Sequence, residues 1–130
     1  MCLQISNLSD GRFMEYKQLF YQIKKEWRDK IQENEWYFSD VRDLFLKEID
    51  ITEIFEVIDF VVNSILLEKD LYFISELLEL LISLVRKMNS SQIPDCISKN
   101  LLSLDEIFQR ELYLNERWKE LKKLLYLDNK

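Results

Sequence analysis

Two pairs of carboxylates carry the most suggestive chemistry in this chain. Glu53-x-x-Glu56 and Glu76-x-x-Glu79 each set two acids three residues apart, a spacing that puts both on one face of a helix. On antiparallel helices the four could converge on a hard cation such as Mg²⁺, which takes oxygen ligands. The rest of the usual catalytic repertoire is missing. There is no histidine, hence no imidazole base, no Ser-His pair and no HExxH or Glu-x-x-His metal motif. The single glycine, Gly11, excludes GxGxxG and phosphate-cradling loops. Cys96 has no histidine to activate it and reads as a buried structural thiol. With Cys2 it makes no CxxC pair and no disulfide framework, which points to a reducing compartment, the cytoplasm.

The paired acids resemble the ExxE and ExxD signature of the all-α, MazG-like nucleoside triphosphate pyrophosphohydrolases, in which acids on paired helices hold Mg²⁺ against a triphosphate. The resemblance covers about 27 residues, from Glu53 to Glu79. It implies Mg²⁺-dependent release of pyrophosphate from a nucleotide, with Glu53, Glu56, Glu76 and Glu79 as metal ligands. Glu79 stands where the family's pattern has Asp, and no basic nucleotide-binding motif accompanies the acids. The first expectation is accordingly a protein without catalytic residues or cofactor, and the hydrolase is the alternative.

The elements that must position these residues are helices. One Gly and one Pro (Pro94) in 130 residues leave little material for hairpin turns. Phe13, Tyr16, Phe20, Ile23, Trp27 and Ile31 form a 3-4 stripe, predicting a helix from a cap at Ser9 or Asp10 to about Gln32. Gln32 to Glu35 interrupts the pattern. After the aromatic run Trp36-Tyr37-Phe38, Ser39 or Asp40 can cap a shorter helix carrying Val41, Leu44 and Phe45. From Thr52 to Leu67 apolar residues, Phe55 and Leu67 among them, cover most of the helix circumference, as in a central helix. The next helix, Asp70 to Met88, sets Leu71, Ile74, Leu77, Leu78, Leu81, Val85 and Met88 opposite Glu76, Glu79 and Ser83. The joint Glu68-Lys69-Asp70 makes the two antiparallel neighbours. Asn89, Ser90 and Ser91 form a loop, and Pro94 suits the first turn of a short helix reaching about Leu102. Ser103-Leu104-Asp105-Glu106 matches a capping box starting a last helix that breaks near Asn115. Its final turns carry Leu114, Trp118, Leu121 and Leu125. The fold expected is an all-α single domain, residues 1–130: a compact bundle of about five to six helices around an antiparallel central pair. The N-terminus lacks a basic, apolar leader and no apolar run reaches a membrane span.

Charge is unevenly placed. Residues 1–47 balance eight acids against eight bases, residues 48–85 hold nine acids and one base (Lys69), and residues 86–130 hold seven acids and nine bases. The net charge of −6 thus belongs to the two most apolar helices, whose polar positions include Glu53, Glu56, Asp59, Glu76 and Glu79. Side by side they would form an acidic face. Such a face either keeps the bundle soluble or steers it toward a basic partner, and its sign is wrong for nucleic acid. Arg117, Lys119, Lys122 and Lys123 are the one basic cluster and suit a C-terminal helix end. Trp36, Tyr37 and Phe38 cannot all face inward, so they either seal a bundle end or leave Trp36 or Tyr37 as an interface anchor.

In size, acidity and composition the chain resembles the immunity proteins with which bacteria neutralise toxins. That resemblance implies a cytoplasmic partner protein, a toxin nuclease with a basic cleft, met by Glu53, Glu56, Asp59, Glu76 and Glu79 with Trp36 or Tyr37. A phage-type inhibitor of a host nucleic-acid enzyme would use the same face as a nucleic-acid mimic.

Overall fold

Apolar residues that return every three or four positions need a partner surface, and in this chain they find it in other helices. The computed structural model describes residues 13–89 and 92–125, where it holds seven α-helices and no strand. These are α1 (Phe13–Glu33), α2 (Tyr37–Glu48), α3 (Ile54–Leu67), α4 (Leu71–Met88), α5 (Asp95–Lys99), α6 (Leu101–Phe108) and α7 (Leu112–Leu124). The all-α class and the antiparallel α3–α4 pair are as the sequence leads one to expect. The cap at Ser9 or Asp10, Cys2 and the Ser90-Ser91 part of the loop lie outside the described residues. No helix among those described is long and apolar enough to cross a membrane. Packing divides the chain into two compact units, one ending at Glu53 and one beginning at Ile54.

The first unit is a helical hairpin joined by aromatic rings. Tyr16, Leu19, Phe20, Ile23 and Trp27 of α1 are buried, while Ile31 is half-buried. Tyr16 meets Phe45 edge-on at 6.2 Å, and Trp27 lies 5.6 Å from Phe38, so the start of α1 sits by the end of α2. Such ring pairs add about 0.5–1.5 kcal/mol beyond the area they bury. α2 begins at Tyr37, ahead of the expected Ser39 or Asp40 cap, because Asn34 organises the turn. Its side-chain oxygen accepts from the Trp36 amide at 3.0 Å, and its amide nitrogen donates to Asp40 at 3.2 Å. The unit closes in a 3-10 turn, Ile51–Glu53.

The second unit is built on aliphatic side chains. α3 contributes Val57, Ile58, Val61, Val62 and Ile65, all without exposed surface, and α4 contributes Ile74, Leu78, Leu81 and Leu84 in the same state. Each such side chain adds about 1.5–3 kcal/mol on burial. α3 buries less of its circumference than its apolar residues could cover. Its i, i+3, i+4 set satisfies the core, and Phe55 and Leu67 remain exposed, Leu67 at 80%. Leu71 likewise faces outward on α4 rather than joining the inward stripe. Asp70 caps α4 by accepting from the Phe73 amide at 3.0 Å. Asn89 ends the helix in the left-handed region at φ 47°, which asparagine tolerates better than most residues.

The C-terminal third departs from its sequence reading in two places. The short helix stops at Lys99 because the Asn100 side chain donates to the Cys96 carbonyl at 2.7 Å, and α6 starts at Leu101 with Ser103 already inside it. The proposed capping box therefore starts no helix. Its Asp105 instead accepts from the Trp118 indole and from Lys122 at 3.2 Å. The break falls at Gln109 to Glu111, and Asn115 lies inside α7, because Leu114, Trp118, Leu121 and Leu125 are one continuous buried stripe.

Candidate functional site

Three of the seven residues singled out from the sequence have structural duties. Glu53 is 7% exposed and completes a reciprocal cap. Its carboxylate accepts from the Asp50 amide at 3.3 Å while the Asp50 carboxylate accepts from the Thr52 amide at 3.2 Å, a reciprocal exchange that satisfies otherwise orphaned amides of the turn. Tyr37 is buried and has no face to offer a partner. Its hydroxyl finds no hydrogen-bond partner, and burial, aided by the charge of Glu26, pushes its pKa up to about 12. Glu79 is held by α7. Its carboxylate accepts from Arg117 Nε at 2.7 Å, from Arg117 Nη2 at 3.0 Å and from the Tyr113 hydroxyl at 2.8 Å. The bond to Glu79 is also the main reason the Arg117 guanidinium holds its proton more tightly than usual.

The four glutamates do not come together as a metal centre. Among the described residues no group of three or more acids or thiols is disposed to hold a cation. The cause is local: Glu53 belongs to the turn that ends the first unit, and Glu79 is matched by a guanidinium in place of a metal.

Glu56 and Asp59 are exposed on α3, and Trp36 is 63% exposed at the α1–α2 turn. Asp59 and Phe55 border a shallow depression of about 330 Å³ beside Pro94 and Cys96. Cys96 is half-buried rather than buried as expected, and burial, and after it the Asp59 carboxylate, pushes its thiol up to about 11. Two of the basic cluster are engaged within the fold: Arg117 is bound to Glu79, and Lys122 reaches Asp105 while lying 5.6 Å from the Trp118 ring, whereas Lys119 and Lys123 are exposed.

Glu76 lines a cleft between α4 and α7. On α4 and α7, Glu79 pairs with Arg117 and, further along both helices, Arg86 pairs with Glu120 at 4.0 Å. The two helices therefore run parallel, and their first turns lie side by side. Between them is a cleft of about 440 Å³ with Leu71, Tyr72 and Glu76 on one wall and Glu111, Tyr113 and Leu114 on the other. Both phenols are tied to carboxylates of α4: Tyr113 to Glu79, and Tyr72 to Glu76. Burial raises both phenol pKa values, and the adjacent carboxylates raise them further, so both rings stay neutral. Glu111 precedes α7 but makes no side-chain capping bond.

Tyr72, Glu111 and Tyr113 were missed in the sequence. The available signal was negative. Leu112 and Tyr113 fall outside the Leu114–Trp118–Leu121 stripe, and Tyr72 outside the inward set of α4, so large side chains there had to face elsewhere. Searches of known family profiles, of curated proteins and of solved structures each returned no match to this chain.

Proposed function

We propose that this chain is a protein-binding module that acts by occluding a basic partner, in the manner of an immunity protein or a related inhibitor of a nucleic-acid enzyme in the cytoplasm. The observation that carries this reading is the α4–α7 cleft, where two tyrosines and two leucines frame the carboxylates of Glu76 and Glu111. Exposed aromatic rings beside acids suit an interface anchor, since tyrosine supplies contact area with few torsions to fix. Nine acids against one base in residues 48–85 add a field that raises the encounter rate with a positive surface and weakens as salt is added. Exposed Glu56 and Asp59 contribute to that field, whereas Glu79 is neutralised by Arg117.

The test is capture from the native cell lysate at low and high salt, comparing wild type with a Glu76→Lys, Glu111→Lys variant shown by circular dichroism to be folded. One basic protein recovered stoichiometrically by the wild type, released by salt, lost by the variant and inhibited in its own activity by the chain is the expected result. A partner that is acidic, or that the variant captures equally well, contradicts the reading.

A further inference from the structure

The cleft between α4 and α7 has a chemistry narrower than a general attraction for positive charge. Its walls are phenol rings, Tyr72 and Tyr113, exposed at 45% and 54%, and the Tyr113 hydroxyl donates to Glu79 at 2.8 Å. Glu76 and Glu111 line the same cleft. Further in, the chain already satisfies one guanidinium this way: Arg117 donates two hydrogen bonds to Glu79 while Tyr113 donates a third to the same carboxylate.

We propose that the Tyr72–Glu76–Glu111–Tyr113 cleft is a receptor for a single arginine side chain projecting from the partner. This assignment rests on the reading of the chain as a binder of basic proteins and names the group at the centre of the contact. Charge complementarity selects a cation. The aromatic walls then favour arginine over lysine, because a guanidinium is planar, is weakly hydrated, stacks on rings and offers a fork of donors to carboxylates, whereas an ammonium is a compact, strongly hydrated point charge.

The pocket is testable on the full chain with N-acetyl-arginine methylamide as the probe, followed by amide chemical shifts in a nuclear magnetic resonance titration. Saturable shifts confined to Leu71–Glu76 and Glu111–Leu114 are expected. The citrulline analogue, which keeps the shape and lacks the charge, should bind at least ten-fold more weakly, and the lysine analogue more weakly than arginine. The Glu76→Gln, Glu111→Gln variant should lose at least ten-fold in affinity with an unchanged melting temperature. Shifts scattered over the surface, or citrulline binding equally well, would overturn the assignment. A chain that ignores the arginine probe yet still captures a basic protein in a salt-sensitive way would overturn this pocket while leaving the proposed function standing. Probe binding at the cleft with no partner captured would do the reverse.

Discussion

The two units solve the packing problem with different materials. From Phe13 to Glu53 the chain is a hairpin whose helices meet through rings, Tyr16 on Phe45 and Trp27 on Phe38, and the buried Tyr37 hydroxyl has no hydrogen-bond partner among the described residues. From Ile54 onward the core is mostly Val, Ile and Leu with no exposed surface, and its polar contacts are well matched: Glu79 with Arg117 and Tyr113, Asp105 with Trp118 and Lys122. A saturated aliphatic core leaves the long polar and aromatic side chains of the second unit free to shape surface. The α4–α7 cleft is shaped by such side chains.

Substitutions can break this contrast in a graded way. The largest effect is expected from Trp118→Ala, which empties a fully buried site and removes one of the two donors to Asp105; it should cost about 3–5 kcal/mol in urea unfolding. A loss under 1 kcal/mol would show that the second unit is not held by this core. Glu79→Ala should cost about 1–2 kcal/mol, the range for charged hydrogen bonds at partial exposure, and a double-mutant cycle with Arg117→Ala should recover most of it as coupling.

Tyr37→Phe should be neutral or stabilising by up to about 1 kcal/mol, since the hydroxyl it removes is buried without a hydrogen bond. Its pH signature is specific. The phenol's pKa is about 12 in the folded chain and about 10 when unfolded, so the folded state retains the proton more tightly. Stability is unaffected below pH 10 and falls as pH rises from 10 toward 12. Phenolate absorbance should show a titration near pH 12 in wild type that the variant lacks, and the alkaline loss of stability should be shallower in the variant. The smallest effect belongs to Trp36→Ala, which removes a ring that is 63% exposed and should shift stability by less than about 0.5 kcal/mol. A larger loss would place that ring in the packing of the hairpin.

Most of the helices were legible in the sequence because hydrophobic period and burial are the same physical fact. The stripes Tyr16–Phe20–Ile23–Trp27 and Leu114–Trp118–Leu121–Leu125 are buried where the pattern puts them. Caps were less legible, because a short polar side chain can bond to its own turn or across to another helix, and sequence does not say which. Ser103 and Glu106 lie inside α6 and start no helix, while Asp50 and Glu53 form a reciprocal cap that the sequence reading did not single out. The candidate site was legible only in part. Charge counting pointed to the α3–α4 segment and to Glu76, but the cleft depends on α7 running parallel to α4. That arrangement follows from contacts 34 to 38 residues apart in the chain, which no local pattern encodes.

The most direct test is the association rate constant of the full chain with its captured partner, measured by stopped flow across a range of ionic strength for wild type and for the Glu76→Lys, Glu111→Lys variant. A steep fall with salt in wild type and a slower, nearly salt-independent rate in the variant are expected. A wild-type rate indifferent to ionic strength would contradict an acidic cleft built for a basic partner.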